Sequence, residues 1–239
     1  MKEIAFSQLW YWLLLCAVLC YFIGCFNFAV LISHFKKKDI RGIGSGNPGS
    51  MNMTRTFGLK VGIVNFICDA CKGGLPALAG FLIFREYVFS GTEVLVSDFI
   101  RYFCGVFVII GHIFPVTLKF KGGKGIASTL GLFLFTMSME QWWYVFIVIA
   151  SFVLLFLYMG VAEWGSMASL MGVSGLTVWQ SVIFVIRYQS GLLNGWVIAT
   201  FMILLIINFL TWFAHRKNIY RLLAGEEHCT RIFKHKKYE

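Results

Sequence analysis

Seven apolar runs constrain this chain more than any other feature: Gln8–Ser33, Leu59–Phe84, Phe99–Val116, Ile126–Met137, Trp142–Met159, Met167–Ile186 and Leu192–Ala214. A helix needs roughly 20 mostly apolar residues to cross a bilayer. Within lipid, a helix satisfies all of its backbone polar groups internally. Composition agrees, with 59% hydrophobic residues and 13% charged, against about a quarter charged in soluble domains. The fold class expected is all-α, a polytopic membrane bundle of about seven transmembrane helices. It forms one domain over 1–239, with 215–239 a basic cytoplasmic tail and no room for a separate soluble domain. The first run is too long for a signal-peptide core and lacks a small-residue cleavage site, so it is expected to be retained. Ile126–Met137 is short for a span and is expected to tilt or to start inside a protein-lined cavity.

Charge supplies the orientation. Segment 36–60 carries six Lys or Arg residues, 119–124 carries three, and the tail from Arg216 carries seven. The alternate connections are poorer: 85–101 holds two basic and three acidic residues. Seven spans put the basic loops on one side, which the positive-inside rule makes the cytoplasm. The N-terminus is then outside and the C-terminus inside. Trp10, Trp12, Trp142, Trp143, Trp196 and Trp212 fall near span ends, as an interfacial belt would. The net charge of +10 is therefore a topology signal and points to no nucleic acid partner. The seven cysteines, Cys229 among them, read as small apolar side chains. Cys68 and Cys71 form a CxxC with no second pair to complete a zinc site. No metal and no cofactor are expected.

The polar chemistry gathers in three places. "RGIGSGNPGSMNMTRTFG", Arg41 to Gly58, packs Gly42, Gly44, Gly46 and Gly49 around Ser45 and Asn47. Glycines at positive φ can turn successive N–H groups inward to make an anion nest. Ser45 and Asn52 add polar contacts, and Arg55 a bidentate fork for phosphate. "KFKGGKGIAST", Lys119 to Thr129, places Gly122, Gly123 and Lys124 before a helix start, an arrangement suited to phosphate. It lacks the Walker A spacing, so nucleotide is not indicated. In "HRKNIYRLLAGEE", His215 and Asn218 lie three apart on one helix face. Within the spans, Asp69 and Lys72 read as an intramembrane pair or a structural i,i+3 bridge. His112, in "GHIFP", is placed to orient the lysine loop. Ser166 is a candidate helix cap or anion donor.

These segments together resemble the bacterial integral-membrane glycerol-3-phosphate acyltransferases that use acyl phosphate. The blocks are "DIRGIGSGNPGSMNMTRTFG", "DACKGGLP", "GHIFPVTLKFKGGKGIA" and "HRKNIYRLLAGEE", in the family's order from Asp39 to Glu227. The resemblance implies seven spans in the bacterial inner membrane, with the active site at the cytoplasmic face. It implies acyl phosphate and glycerol 3-phosphate as substrates, membrane lipid as surroundings, and a monomer. The family's phosphate-binding positions carry over to Ser45, Arg55, Lys124, His215 and Asn218. Asn47 and Asn52 belong to the first block. Met51 departs from the family's Thr or small residue. The family's serine-containing loop reads here as Glu163-Trp164-Gly165-Ser166, in which only Ser166 survives.

An acyl phosphate is a mixed anhydride, already activated, so the site must align hydroxyl and carbonyl and stabilise the developing charge. No Ser or Cys nucleophile with an adjacent base is evident, which favours direct attack without an acyl-enzyme. The proton acceptor is either His215 or a phosphate oxygen of the substrate. His34 to Asp39 matches the H-x4-D pattern of acyl-CoA acyltransferases, but it straddles a span end, where topology explains the intervening lysines. The alternative from another class is a phosphate or organophosphate transporter, which should show broken helices at the midplane in paired halves.

Overall fold

The computed structural model describes residues 1–227. Cys229 and the tail beyond Glu227 lie outside the described residues.

The elements in chain order are β1 (Lys2–Ile4), α1 (Phe6–Cys25), α2 (Phe28–Phe35), α3 (Ser50–Phe57), α4 (Leu59–Phe84), β2 (Tyr87–Phe89), α5 (Val96–Ile113), α6 (Ile126–Glu140), α7 (Tyr144–Ala162), α8 (Gly165–Arg187), α9 (Gly195–Ala214) and α10 (Arg216–Leu223). Among the described residues six helical segments are long and apolar enough to cross a membrane, the first being α1 and α2 together. α6 is shorter, yet it runs between the same two ends of the bundle. Its start adjoins Lys124, and its last residue, Glu140, meets Arg101 and Arg187 at the far end.

α5 is the central post. In its most apolar window 72% of residues are buried, against 6% for α7, which lies at the periphery. Glycines let the central helices touch backbone to backbone. A Cβ on Gly131 of α6 would stand 2.0 Å from the Ala70 carbonyl oxygen of α4, and one on Gly111 of α5 would stand 2.1 Å from that of Tyr21 in α1. Lipid tails are as apolar as leucine, so such close packing is what holds spans together.

Several expectations are corrected. The run Gln8–Ser33 is two helices, broken at Phe26–Asn27, where the Asn27 side chain accepts from the Val30 N–H at 2.9 Å and starts α2 anew. The Arg41–Gly58 segment is not all loop, since Asn52 and Arg55 stand on α3. The all-α expectation missed a two-stranded parallel pairing of β1 with β2, from Lys2 opposite Tyr87 to Ile4 opposite Phe89. Periodicity has little hold on strands of three residues.

At this far end lies a buried charge cluster that the sequence reading did not single out. Arg101 pairs with Asp98 at 2.9 Å and with Glu140, while Arg187 reaches Asp98 at 2.8 Å. Gln180 donates to Glu140 at 2.6 Å and Tyr188 to Asp98 at 2.7 Å. Fifteen helical residues rise only about 22 Å, so a short α6 leaves Glu140 buried. Its carboxylate therefore needs partners from α5 and α8.

Candidate active site

The first glycine loop is organised from within. Gly44 and Gly46 take φ of +61° and +68°, which glycine adopts without strain. A Cβ on Gly44 would meet Asn52 Oδ1 at 2.3 Å. Asn52, buried on α3, accepts from the Ser45 N–H at 3.2 Å and donates to the Ile40 and Ile43 carbonyls at 3.2 and 2.9 Å. The Gly46 N–H goes to Ile43 O, the Gly49 N–H to Asn47 O, and the Asn47 N–H to Ser45 Oγ. The expected nest of inward amides is corrected, because the Ser45, Gly46, Asn47 and Gly49 donors are spent inside the loop. Asn52 builds the loop rather than facing an anion.

In the lysine loop the amides of the first two glycines are likewise used. The N–H groups of Gly122 and Gly123 donate to the carbonyls of Ile113 and His112, both at 3.1 Å. A Cβ on Gly122 would stand 2.0 Å from His112 O, and one on Gly123 would stand 2.3 Å from His112 Nε2. These glycines let the loop lie flat on the end of α5, against the backbone and ring of His112. What the loop presents is Lys124. Its ammonium donates to Asn218 Oδ1 at 2.5 Å.

Around this contact four parts of the chain meet. Asn218 Nδ2 donates to Glu227 Oε1 at 2.8 Å, and Ser166 Oγ donates to the same oxygen at 2.7 Å. Arg221 Nε reaches Glu227 Oε2 at 3.2 Å. Ser166 therefore ties the start of α8 to the segment that follows α10, and it caps no helix: no side chain caps α8. Glu227 was quoted in the last motif without a role. The spacing of Asn218, Arg221 and Glu227 says nothing until α10 folds and the chain turns back along it.

The electrostatics favour an anion. Burial pushes the Lys124 ammonium down to about 8; Glu227 opposes this, while the positive charges of Arg221 and, least, Arg55 add to it. Burial also lowers His215 to about 4, with Lys124 adding to it, so His215 is neutral at physiological pH. His215 Nδ1 lies 2.8 Å from Thr211 O, and a carbonyl only accepts. Nδ1 therefore carries the proton and Nε2 the lone pair. Burial alone would raise Glu227, but hydrogen bonds from Asn218, Ser166 and Arg221 outweigh it and hold the carboxylate low. Among the described residues, Lys124 and Arg221 gather at Glu227 with Arg55 acting on Lys124 at longer range, a basic setting that suits an anion. Lys124, Ser166 and Asn218 are thus brought together around Glu227, with the Lys124 charge acting on His215, whereas Ser45 contacts Asn52 and Asn47 within its own segment. Asp39 of the H-x4-D match is engaged by Arg41 at 2.7 and 3.0 Å.

Residues 14–225 match the family model described as glycerol-3-phosphate acyltransferase. The chain belongs to that family. A glycerol-3-phosphate acyltransferase of Finegoldia magna is 32% identical over 217 residues, covering 90% of this chain and 95% of its own. One from Mycoplasma pneumoniae is 34% identical over 228 residues, covering 88% and 91%. Among solved structures, the glycerol 3-phosphate form of PlsY (YgiH), an integral membrane glycerol 3-phosphate acyltransferase, superposes with a TM-score of 0.72 at 29% identity, covering 91% of this chain and 94% of that one. Its lysophosphatidic acid form gives 0.68. This multi-pass membrane acyltransferase therefore shares its fold with that structure and its family with those relatives.

Proposed function

We propose that the chain transfers a fatty acyl group from acyl phosphate to the sn-1 hydroxyl of glycerol 3-phosphate, giving lysophosphatidic acid and inorganic phosphate. The observation that carries this is the meeting of Lys124 with Asn218 and of Arg221 with Glu227, which gathers cationic and amide donors from the lysine loop and α10 at one place. The glycerol hydroxyl oxygen attacks the carbonyl carbon of the mixed anhydride, and the bond from that carbon to the phosphate oxygen breaks. Lys124 and Arg55 neutralise the phosphate charge, and Asn218 holds the ammonium in place. A His215 with its basicity lowered to about 4 is a poor proton sink. The donor's phosphate, with a second pKa near ~6 in phosphate esters, is the stronger base and leaves carrying the proton. His215 Nε2 then serves to orient the hydroxyl.

Seven membrane passes, the basic loops in the cytoplasm and a cytoplasmic-face active site complete this reading, in a bacterial inner membrane and as a monomer. Purified enzyme offered acyl phosphate and acyl-CoA separately tests it. Transfer from acyl phosphate alone is expected. Transfer only from acyl-CoA would overturn the donor assignment.

A further inference from the structure

We propose that the buried Asp69–Lys72 pair is a positioning device that holds both ends of the first glycine loop from inside the membrane. The break between α1 and α2 strands a carbonyl in apolar surroundings. The Val30 N–H, which would ordinarily serve Phe26 O four residues back, is taken by Asn27 Oδ1. Lys72 Nζ supplies the missing donor, 2.8 Å from Phe26 O and 3.4 Å from Gly24 O. It also forms an ion pair with Asp69 Oδ1 at 2.9 Å, and its charge lies 5.8 Å from the Phe28 ring centre. Two of the three ammonium donors thus go to carbonyls of the break, and the charge is answered by Asp69.

Each partner of the pair then reaches the loop. On the Lys72 side, the secured break holds Asn27, whose Nδ2 donates to Pro48 O at 3.3 Å inside the loop. On the Asp69 side, Oδ2 accepts from Asn65 Nδ2 at 3.1 Å, and the same nitrogen donates to Ser50 Oγ at 2.9 Å, at the first residue of α3. Asn52 and Arg55 follow on that helix. One ion pair thus fixes segment 43–50 from both flanks. The lysine loop is held differently. His112 Nδ1 is 3.8 Å from Asp69 Oδ1, too far for a hydrogen bond, and the loop hangs on backbone bonds to Ile113 and His112. The two halves of the site therefore have separate anchors.

The effect on catalysis rests on the reading that Arg55 binds glycerol 3-phosphate. Hydrogen–deuterium exchange on the purified full chain in nanodiscs, compared between wild type and Lys72→Met, tests the tether without substrate. Exchange over 43–57 is expected to rise about tenfold, with 121–125 unchanged. The KM for glycerol 3-phosphate is expected to rise about ten- to hundredfold, with a smaller change in kcat. Unaltered protection over 43–57 would overturn the proposal, as would an equal rise throughout the chain. Should Lys72→Met fail to fold, Asn65→Leu removes only the α3 tether; exchange is then expected to rise over 50–57, and no rise is the overturning result. If exchange rises while KM stays flat both here and in Arg55→Ala, the tether stands and the assignment of Arg55 to glycerol 3-phosphate falls.

Discussion

The Lys124 ammonium donates to Asn218 Oδ1 at 2.5 Å, joining residues 94 apart in the chain. The contact places one of the three lysines of the loop against α10, and Glu227 fixes Asn218 from behind. Losing a charge-assisted contact of this kind costs about 1.5–3 kcal/mol, or one to two decades in rate. Lys124→Ala is therefore expected to lose at least that much kcat/KM while extracting from membranes as folded protein. Near-normal turnover would remove the lysine loop from the site.

The pH profile follows from the same group. The ammonium is present below its lowered value of about 8 and is lost as pH rises through it. The kcat/KM for glycerol 3-phosphate should fall above that pH, approaching tenfold per unit. Glu227 raises the Lys124 value, so Glu227→Gln should move the falling limb to lower pH. A limb that stays put in the variant would show that another group titrates.

Arg55 offers a planar fork that a point charge does not reproduce. Arg55→Lys should raise the KM for glycerol 3-phosphate more than that for acyl phosphate, because Arg55 stands on α3 and Lys124 on a separate loop. Steady-state kinetics with each substrate varied decides this, and equal shifts in both would mean one pocket serves both phosphates.

At the far end, Arg101→Met would leave the buried Asp98 and Glu140 carboxylates short of a cation. Breaking such a buried pair from one side costs about 3–5 kcal/mol. The midpoint of thermal unfolding should drop by several degrees, and adding Glu140→Gln should recover part of the loss. A drop that the second change only deepens would refute the charge account.

Topology has a direct test. A reporter fused after Glu239 should read as cytoplasmic and a tag before Met1 as external. Both ends on one side would refute an odd number of passes.

The sequence by itself determined that this chain is a membrane bundle, because runs of apolar residues in lipid have little choice but helix. It also marked the candidate residues, because Ser45, Arg55, Lys124, His215 and Asn218 sit in blocks whose order and spacing are visible in one dimension. Tertiary structure decided what those residues touch. Glycine spacing suggested free amides at Gly46, Gly49, Gly122 and Gly123, yet their N–H groups are taken by nearby carbonyls, and only the folded path of the backbone reveals that. It also decided the break at Asn27, where one side-chain oxygen outcompetes a helical carbonyl and Lys72, 46 residues on from Phe26, makes up the loss. The partners of Glu227 and Arg101 were hidden for the same reason. A charge in a span is legible from sequence, but the charge that answers it lies on another helix.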